Sequence, residues 1–166
     1  MIAWDYFPRH ALPDDPAKAV ICTFEGVLDE ISSDHRDLSS NEVLGVVGPS
    51  LQALGFRVEV GKADRVMVPV LFGRNGEVHK HFEADAWNPE QRIVVEVEAG
   101  AGVANNSFLK DLFQACVMKD VDVLVIALRR RYRQSNDFER VSRYFETLYA
   151  SDRMNLPLKG ILLIGY

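Results

Sequence analysis

Cysteine is scarce in this 166-residue chain: only Cys22 and Cys116 occur, each inside an apolar run. Two thiols so placed form no disulfide framework and read as small buried hydrophobes, so a reducing, cytoplasmic setting is expected. Long apolar runs are also missing. No stretch approaches the roughly 20 residues a membrane-spanning helix needs, and the opening Met1-Ile2-Ala3-Trp4-Asp5 lacks the basic and apolar regions of a secretory signal. No membrane partner is therefore expected. Gly100-Ala101-Gly102 has no Lys-Ser/Thr after it, which argues against a phosphate loop. Neither a nucleophile elbow nor a Ser/His/Asp pattern stands out. Positive charge is in deficit, with a formal net charge of −5. That weighs against a nucleic-acid partner, because phosphate binding leaves a basic footprint. Such a footprint can be local, however, and carboxylates meant for a metal make a bare chain look more acidic than a loaded one.

What is present suits a folded protein. Hydrophobic residues make up 48% and charged residues 26%, and the length fits one domain over residues 1–166. Pro16 and the spacing of Ala19, Val20, Phe24, Val27, Leu28 and Ile31 predict a helix over about residues 14–34. A second helix is expected from Ser39 or Ser40 to Gly55, with a kink at Gly48-Pro49. The period then changes to two, giving strands at 56–60, 66–72, 78–87 and 92–98. Asn75-Gly76 and Asn88-Pro89-Glu90-Gln91 supply the turns between the last three. A helix over about 104–119, a fully apolar strand 121–128, a helix over about 137–150 and a strand 158–164 complete the chain. A hairpin region followed by strand–helix–strand implies an α/β fold, a central mixed sheet flanked by helices.

The informative segment runs from Glu83 to Glu98. With 88–91 as the loop, Trp87 opposes Arg92 and Asp85 opposes Val94. Opposed residues share a face, so Asp85, Glu96 and Glu98 all point to one side, with Asp85 and Glu96 diagonal neighbours about 7–8 Å apart. Asp85, Glu96 and Glu98 so placed are the expected ligands of a divalent cation between them. Magnesium prefers oxygen ligands and usually takes one or two carboxylates plus waters and phosphate oxygens. It can then activate water and stabilise charge on a phosphodiester transition state. The competing reading is a merely amphipathic strand with a solvated polar face. Val94 interrupts that face, and the helix and buried strand that follow place this strand centrally.

The string Asp85 … Glu96-Val97-Glu98, followed by a Gly-rich bend, a helix and a buried strand, resembles the core of the PD-(D/E)xK, restriction-endonuclease-like superfamily. The resemblance covers residues from about 40 to 128 in element order. It implies a helix, a three-stranded antiparallel meander, a further helix and a strand, with Asp85 and Glu96 as metal-binding acids. Glu98 stands where the family pattern has Lys, and Ala84 where it has Pro; the Glu-x-Glu form resembles that of some type II restriction enzymes. Lys110, on a polar stripe with Asn106 and Gln114, is a candidate for the displaced Lys; a solvated helix face beside Asp111 is the alternative. Glu42 falls where many members carry an extra acid; the alternative is a favourable charge at a helix N-terminus. The implied activity is Mg²⁺-dependent (or Mn²⁺-dependent) cleavage of nucleic acid, DNA before RNA, by a homodimer presenting two sites to a duplex. Loss of the Lys and the acidic balance keep open a catalytically inactive interaction or scaffold module, and an enzyme acting on a small phosphate ester is a third reading.

Arg129, Arg130, Arg131 and Arg133, with Tyr132, are the one concentrated positive patch, and Arg is suited to bidentate phosphate contact. A solvated loop at a strand end is the alternative. His79 and His81 share a strand face but lack a third ligand for a transition metal. Trp87 has the parity of Asp85 and is placed either to stack on a base or to cover the sheet.

Overall fold

The computed structural model describes residues 1–61, 64–100, 105–131 and 135–166. Strand β1 (Ala3–Phe7) leads into helices α1 (Asp15–Gly26), α2 (Leu28–Ile31) and α3 (Ser40–Ala53). Strands β2 (Arg57–Val58), β3 (Val66–Phe72), β4 (Val78–Ala84), β5 (Ala86–Asn88) and β6 (Ile93–Glu98) follow. The chain ends with α4 (Ser107–Val117), β7 (Val123–Leu128), α5 (Asp137–Ser151) and β8 (Gly160–Gly165).

Local chemistry sets several of these boundaries. Asp14 caps α1 by accepting from the Ala17 amide at 3.0 Å, with Pro16 in the first turn, where a missing N–H costs nothing. Ser39 and Glu42 form a reciprocal capping box at the start of α3. The single first helix expected from periodicity is interrupted at Val27, whose backbone leaves helical geometry. Helix α3, by contrast, continues through Pro49. Cys22 is exposed and Cys116 partly exposed, and both are free thiols, so neither is the buried hydrophobe its neighbours implied.

Six strands form one mixed sheet in the order β1-β8-β7-β6-β5-β2. Strands β6, β7 and β8 are parallel; β1 and β5 pair antiparallel at either side, and β2 pairs antiparallel with β5. The two crossovers advance in the same direction across the sheet, so right-handed connections carry α4 and α5 to the same face. Two apolar cores result. Val95, Val97, Val125 and Leu162 pack with α1 and α3 on one side. Val94, Leu124, Ile126 and Leu163 pack with α4 and α5 on the other. All six residues of β7 are buried, as its uninterrupted apolar sequence requires.

The long strand expected at 78–87 divides. Residues Val78–Ala84 pair with β3 as a separate two-stranded sheet, and Ala86–Asn88 join the main sheet. The expected three-stranded meander is thus continuous along the chain but not within one sheet. Asp85 is the residue at which the chain changes sheets.

Candidate active site

Asp85, Glu96 and Glu98 come together at the carboxyl end of β6. The observed pairing is Ala86↔Val95, Trp87↔Val94 and Asn88↔Ile93, so the loop is 89–92 and the register lies two residues from the one expected. A two-residue shift preserves the face. One further step along this register brings Asp85 directly opposite Glu96 rather than diagonal to it. Both acids then lie on the Val94 side of the sheet, beneath α4.

Two hydrogen bonds hold the bend. As β4 leaves the main sheet, the Val97 amide loses a strand partner, and Asp85 Oδ2 accepts from it instead at 2.7 Å. The Asp85 carbonyl accepts from the Glu59 amide at 2.8 Å. At the end of β6, Tyr166 Oη donates to the Glu98 carbonyl at 3.1 Å, and the Ala99 amide donates to Ser40 Oγ at 3.0 Å. The acids therefore sit on restrained backbone, although the three carboxyl groups themselves are half-buried.

A fourth acid escaped the sequence reading. Asp111 is buried on the inner face of α4, with only 3% of its surface exposed, and among the described residues its Oδ2 has no hydrogen-bonding partner as a carboxylate. The signal was in the helical stripe: Asp111 follows Phe108 by three and precedes Ala115 by four, the spacing of the core-facing side. Burial, then the contact with the Glu98 carboxyl, pushes the Asp111 pKa up to about 8. A protonated Asp111 can donate to Glu98, which gives the orphaned oxygen its partner.

The other acids respond to the same crowding. Burial raises Asp85 to about 6; the Val97 amide opposes this, and the charges of Glu59 and Glu98 add to it. Glu96 is raised by burial and by the charges of Asp85 and Asp111. Lys110 acts against these shifts. Its ammonium lies 3.7 Å from Asp111 Oδ1 and favours the ionised forms of Asp85, Glu96 and Asp111.

No protein-family model and no curated protein matches this chain. Any assignment therefore stands on the site itself.

The remaining candidates are dispersed. Glu42 is engaged with the Ser39 amide and hydroxyl, which lower its pKa, and it serves as a helix cap. Arg129 is buried, and its guanidinium donates to Asp37 Oδ1 at 2.5 Å and to the Leu38 carbonyl. It therefore ties the end of β7 to the α2–α3 connection, not to an outside phosphate. Arg130 lies 4.0 Å from Asp34, and Arg131 is exposed. Arg133 and Tyr132 lie outside the described residues, as do Ala101 and Gly102 of the expected bend; Gly100 turns with a φ of 88°. Trp87 is buried beneath Arg57, whose guanidinium lies 5.4 Å from the ring centroid, so it covers the sheet and has no free face for a base. His79 and His81 are exposed on β4.

Among the described residues, no three His, Cys, Asp or Glu side chains already stand at metal-ligating spacing. The donor set nonetheless fits a hard cation. Its members are carboxyl oxygens alone, they disfavour one another's ionisation, and one buried oxygen lacks a partner. A bound cation would relieve that mutual repulsion and give the oxygen a partner once the side chains draw inward.

Proposed function

We propose that the protein is a metal-dependent phosphodiesterase of the restriction-endonuclease-like kind, acting on nucleic acid and on DNA in particular. The carrying observation is that Asp85, Glu96, Glu98 and Asp111 converge at the carboxyl end of β6 under the ammonium of Lys110. Ligands of open α/β sheets bind outside the carboxyl ends of their strands, which is where this cluster lies. From α3 to β7 the chain runs helix, strands, helix, strand, the order expected of such a core, with β3 and β4 standing apart as a separate sheet.

In this reading Asp85 and Glu96 hold Mg²⁺, or Mn²⁺ in its place, which supplies Lewis-acid polarisation of a phosphoryl oxygen and of the attacking water. Glu98 and Asp111 orient that water from the helix side. Lys110 faces the scissile phosphate and offsets its charge. Hydrolysis forms a bond from the water oxygen to phosphorus and breaks the P–O bond to the leaving nucleoside oxygen. A carboxylate of the cluster accepts the proton lost by the attacking water, and the leaving oxygen takes one from solvent.

The test is Mg²⁺-dependent cleavage by Asp85→Asn and Glu96→Gln. Asn retains an acceptor for the Val97 amide, so loss of activity would not be loss of the fold. Both variants should lose cleavage while melting at or above the parent temperature, because carboxyl crowding is relieved. Cleavage persisting at the parental rate in both would rule the assignment out.

The second reading is a catalytically inactive scaffold on the same fold. It is favoured by one contact: Glu98, in the place of the family's Lys, meets the Asp111 carboxyl and is engaged within the protein. Calorimetric titration with Mg²⁺ and Mn²⁺ separates the two. Binding lost in Asp85→Asn supports the enzyme; no binding at millimolar metal supports the scaffold.

A further inference from the structure

Beside the acid cluster, a groove of about 340 Å³ opens between β4 and α4, with Lys80, His81, Phe82, Lys110 and Gln114 among its walls. We infer that this groove is the track for an unpaired nucleotide strand, with Phe113 stacking on a base and Lys80 and His81 meeting the adjoining phosphates. The placement rests on the hydrolytic reading above and deepens it by naming the substrate as single-stranded.

Three observations carry the inference. First, Phe113 is 61% exposed, although it is a large apolar side chain on a helix whose other side forms core. It is held in place by an edge-on contact with Phe82, ring centroids 6.4 Å apart at 61°. An aromatic already fixed by a neighbour loses little rotamer freedom on stacking, and every base offers a π-face to it.

Second, the groove is locally cationic in an acidic protein. Lys80 lies over Phe82, its ammonium 5.3 Å from the ring centroid, so charge and aromatic surface alternate along the wall. Glu83 is the one acid among the described lining residues, and it is paired with Arg65. Alternating cations and aromatic faces suit a phosphate–base repeat, whereas a duplex hides its base faces in the stack.

Third, Lys110 belongs to both places. It lines the groove and stands 3.7 Å from Asp111 Oδ1, so a strand lying in the groove is one lysine side chain away from the acids. The buried and internally paired Arg129 leaves the sequence-predicted arginine patch a weaker track.

The experiment is fluorescence anisotropy in EDTA, where nothing is cut, using labelled oligothymidine of about 12 nucleotides and a blunt duplex of the same length. The single strand should bind about tenfold more tightly than the duplex. Phe113→Ala should lose about tenfold for the single strand, with duplex affinity and melting temperature unchanged. Lys80→Gln should reduce the slope of log affinity against log salt by about 0.7. Equal affinity for both nucleic acids, no binding of either, or unchanged single-strand affinity in Phe113→Ala overturns the inference. Its fate is separable from that of the hydrolytic reading. Strand preference lost in Phe113→Ala, alongside cleavage that survives Asp85→Asn and Glu96→Gln, upholds the track and sinks the enzyme. Cleavage abolished by the acid variants, with no role for Phe113, sinks the track alone.

Discussion

The Val97 amide donates to Asp85 Oδ2 at 2.7 Å across the point where β4 leaves the main sheet. One side chain thus performs two tasks. It satisfies a backbone donor that the departing strand abandons, and it holds a carboxylate opposite Glu96. The hydrogen bond favours ionisation of Asp85, yet burial outweighs it, and the acid rises to about 6.

A first prediction follows for stability against pH. Asp85 near 6 and Asp111 near 8 both titrate above the usual carboxylate range in the folded protein. The folded state therefore binds more protons than the unfolded one between about pH 4 and pH 8, and stability falls as pH rises through that window. Without metal, the melting temperature should be higher at pH 5 than at pH 8.5. Asp111→Asn should flatten the upper part of the decline and raise the pH 8.5 melting temperature by about 3 °C or more. A melting temperature that climbs from pH 5 to 8.5 would contradict the carboxyl crowding.

Metal should reverse that decline. Binding requires ionised acids and competes with their protons, so Mn²⁺ should stabilise the protein more at pH 8 than at pH 5. At a hundredfold excess over Kd the gain is about 2.7 kcal/mol, readable by thermal or chemical denaturation. Asp85→Asn should lose most of it. An equal gain at both pH values would place the metal elsewhere.

Lys110 offers a pH-profile test. Its ammonium favours the ionised form of Asp85, Glu96 and Asp111. Lys110→Met should move the acidic limb of the cleavage profile to higher pH and lower the maximal rate by about 10- to 100-fold, in the range of a positioned charged group. Lys110→Arg should restore the limb more fully than the rate. An unmoved limb in Lys110→Met would show that the ammonium does not act on the acids.

Arg129 should behave as a structural residue. Truncation leaves the Leu38 carbonyl without its guanidinium donor in a partly buried setting, so Arg129→Ala should cost about 1–3 kcal/mol of stability. Oligonucleotide affinity should hardly change at a temperature where the variant is folded. The reverse pattern, weakened binding with parental stability, would return Arg129 to the nucleic-acid interface.

Much of the scaffold was legible because it rests on period and turn chemistry. The β-branched run Ile93–Glu98 and the apolar run Val123–Leu128 can be little other than central strands, and both are. The common face of Asp85 and Glu96 survived a two-residue register error because side chains alternate with period two. Other features depend on tertiary context. β1 is a short strand whose pairing with β8 lies more than 150 residues away in sequence, and nothing local announces it. The division of residues 78–88 at Asp85 is equally silent, since both halves have strand-like composition. Asp111 looked like a surface partner for Lys110, though its helical phase had already put it among core residues.

The change of sheets at Asp85 also bears on how the chain tolerates altered length. Extra residues in the turn at Arg74–Gly76 would extend a free hairpin tip and leave the acids in place. A single residue added between Asp85 and Ala86 would turn the carboxylate to the α1–α3 side, strip the Val97 amide of its acceptor and bury a charge among apolar side chains. Engineering of this protein therefore has one permissive joint and one forbidden one, about ten residues apart on the same hairpin arm.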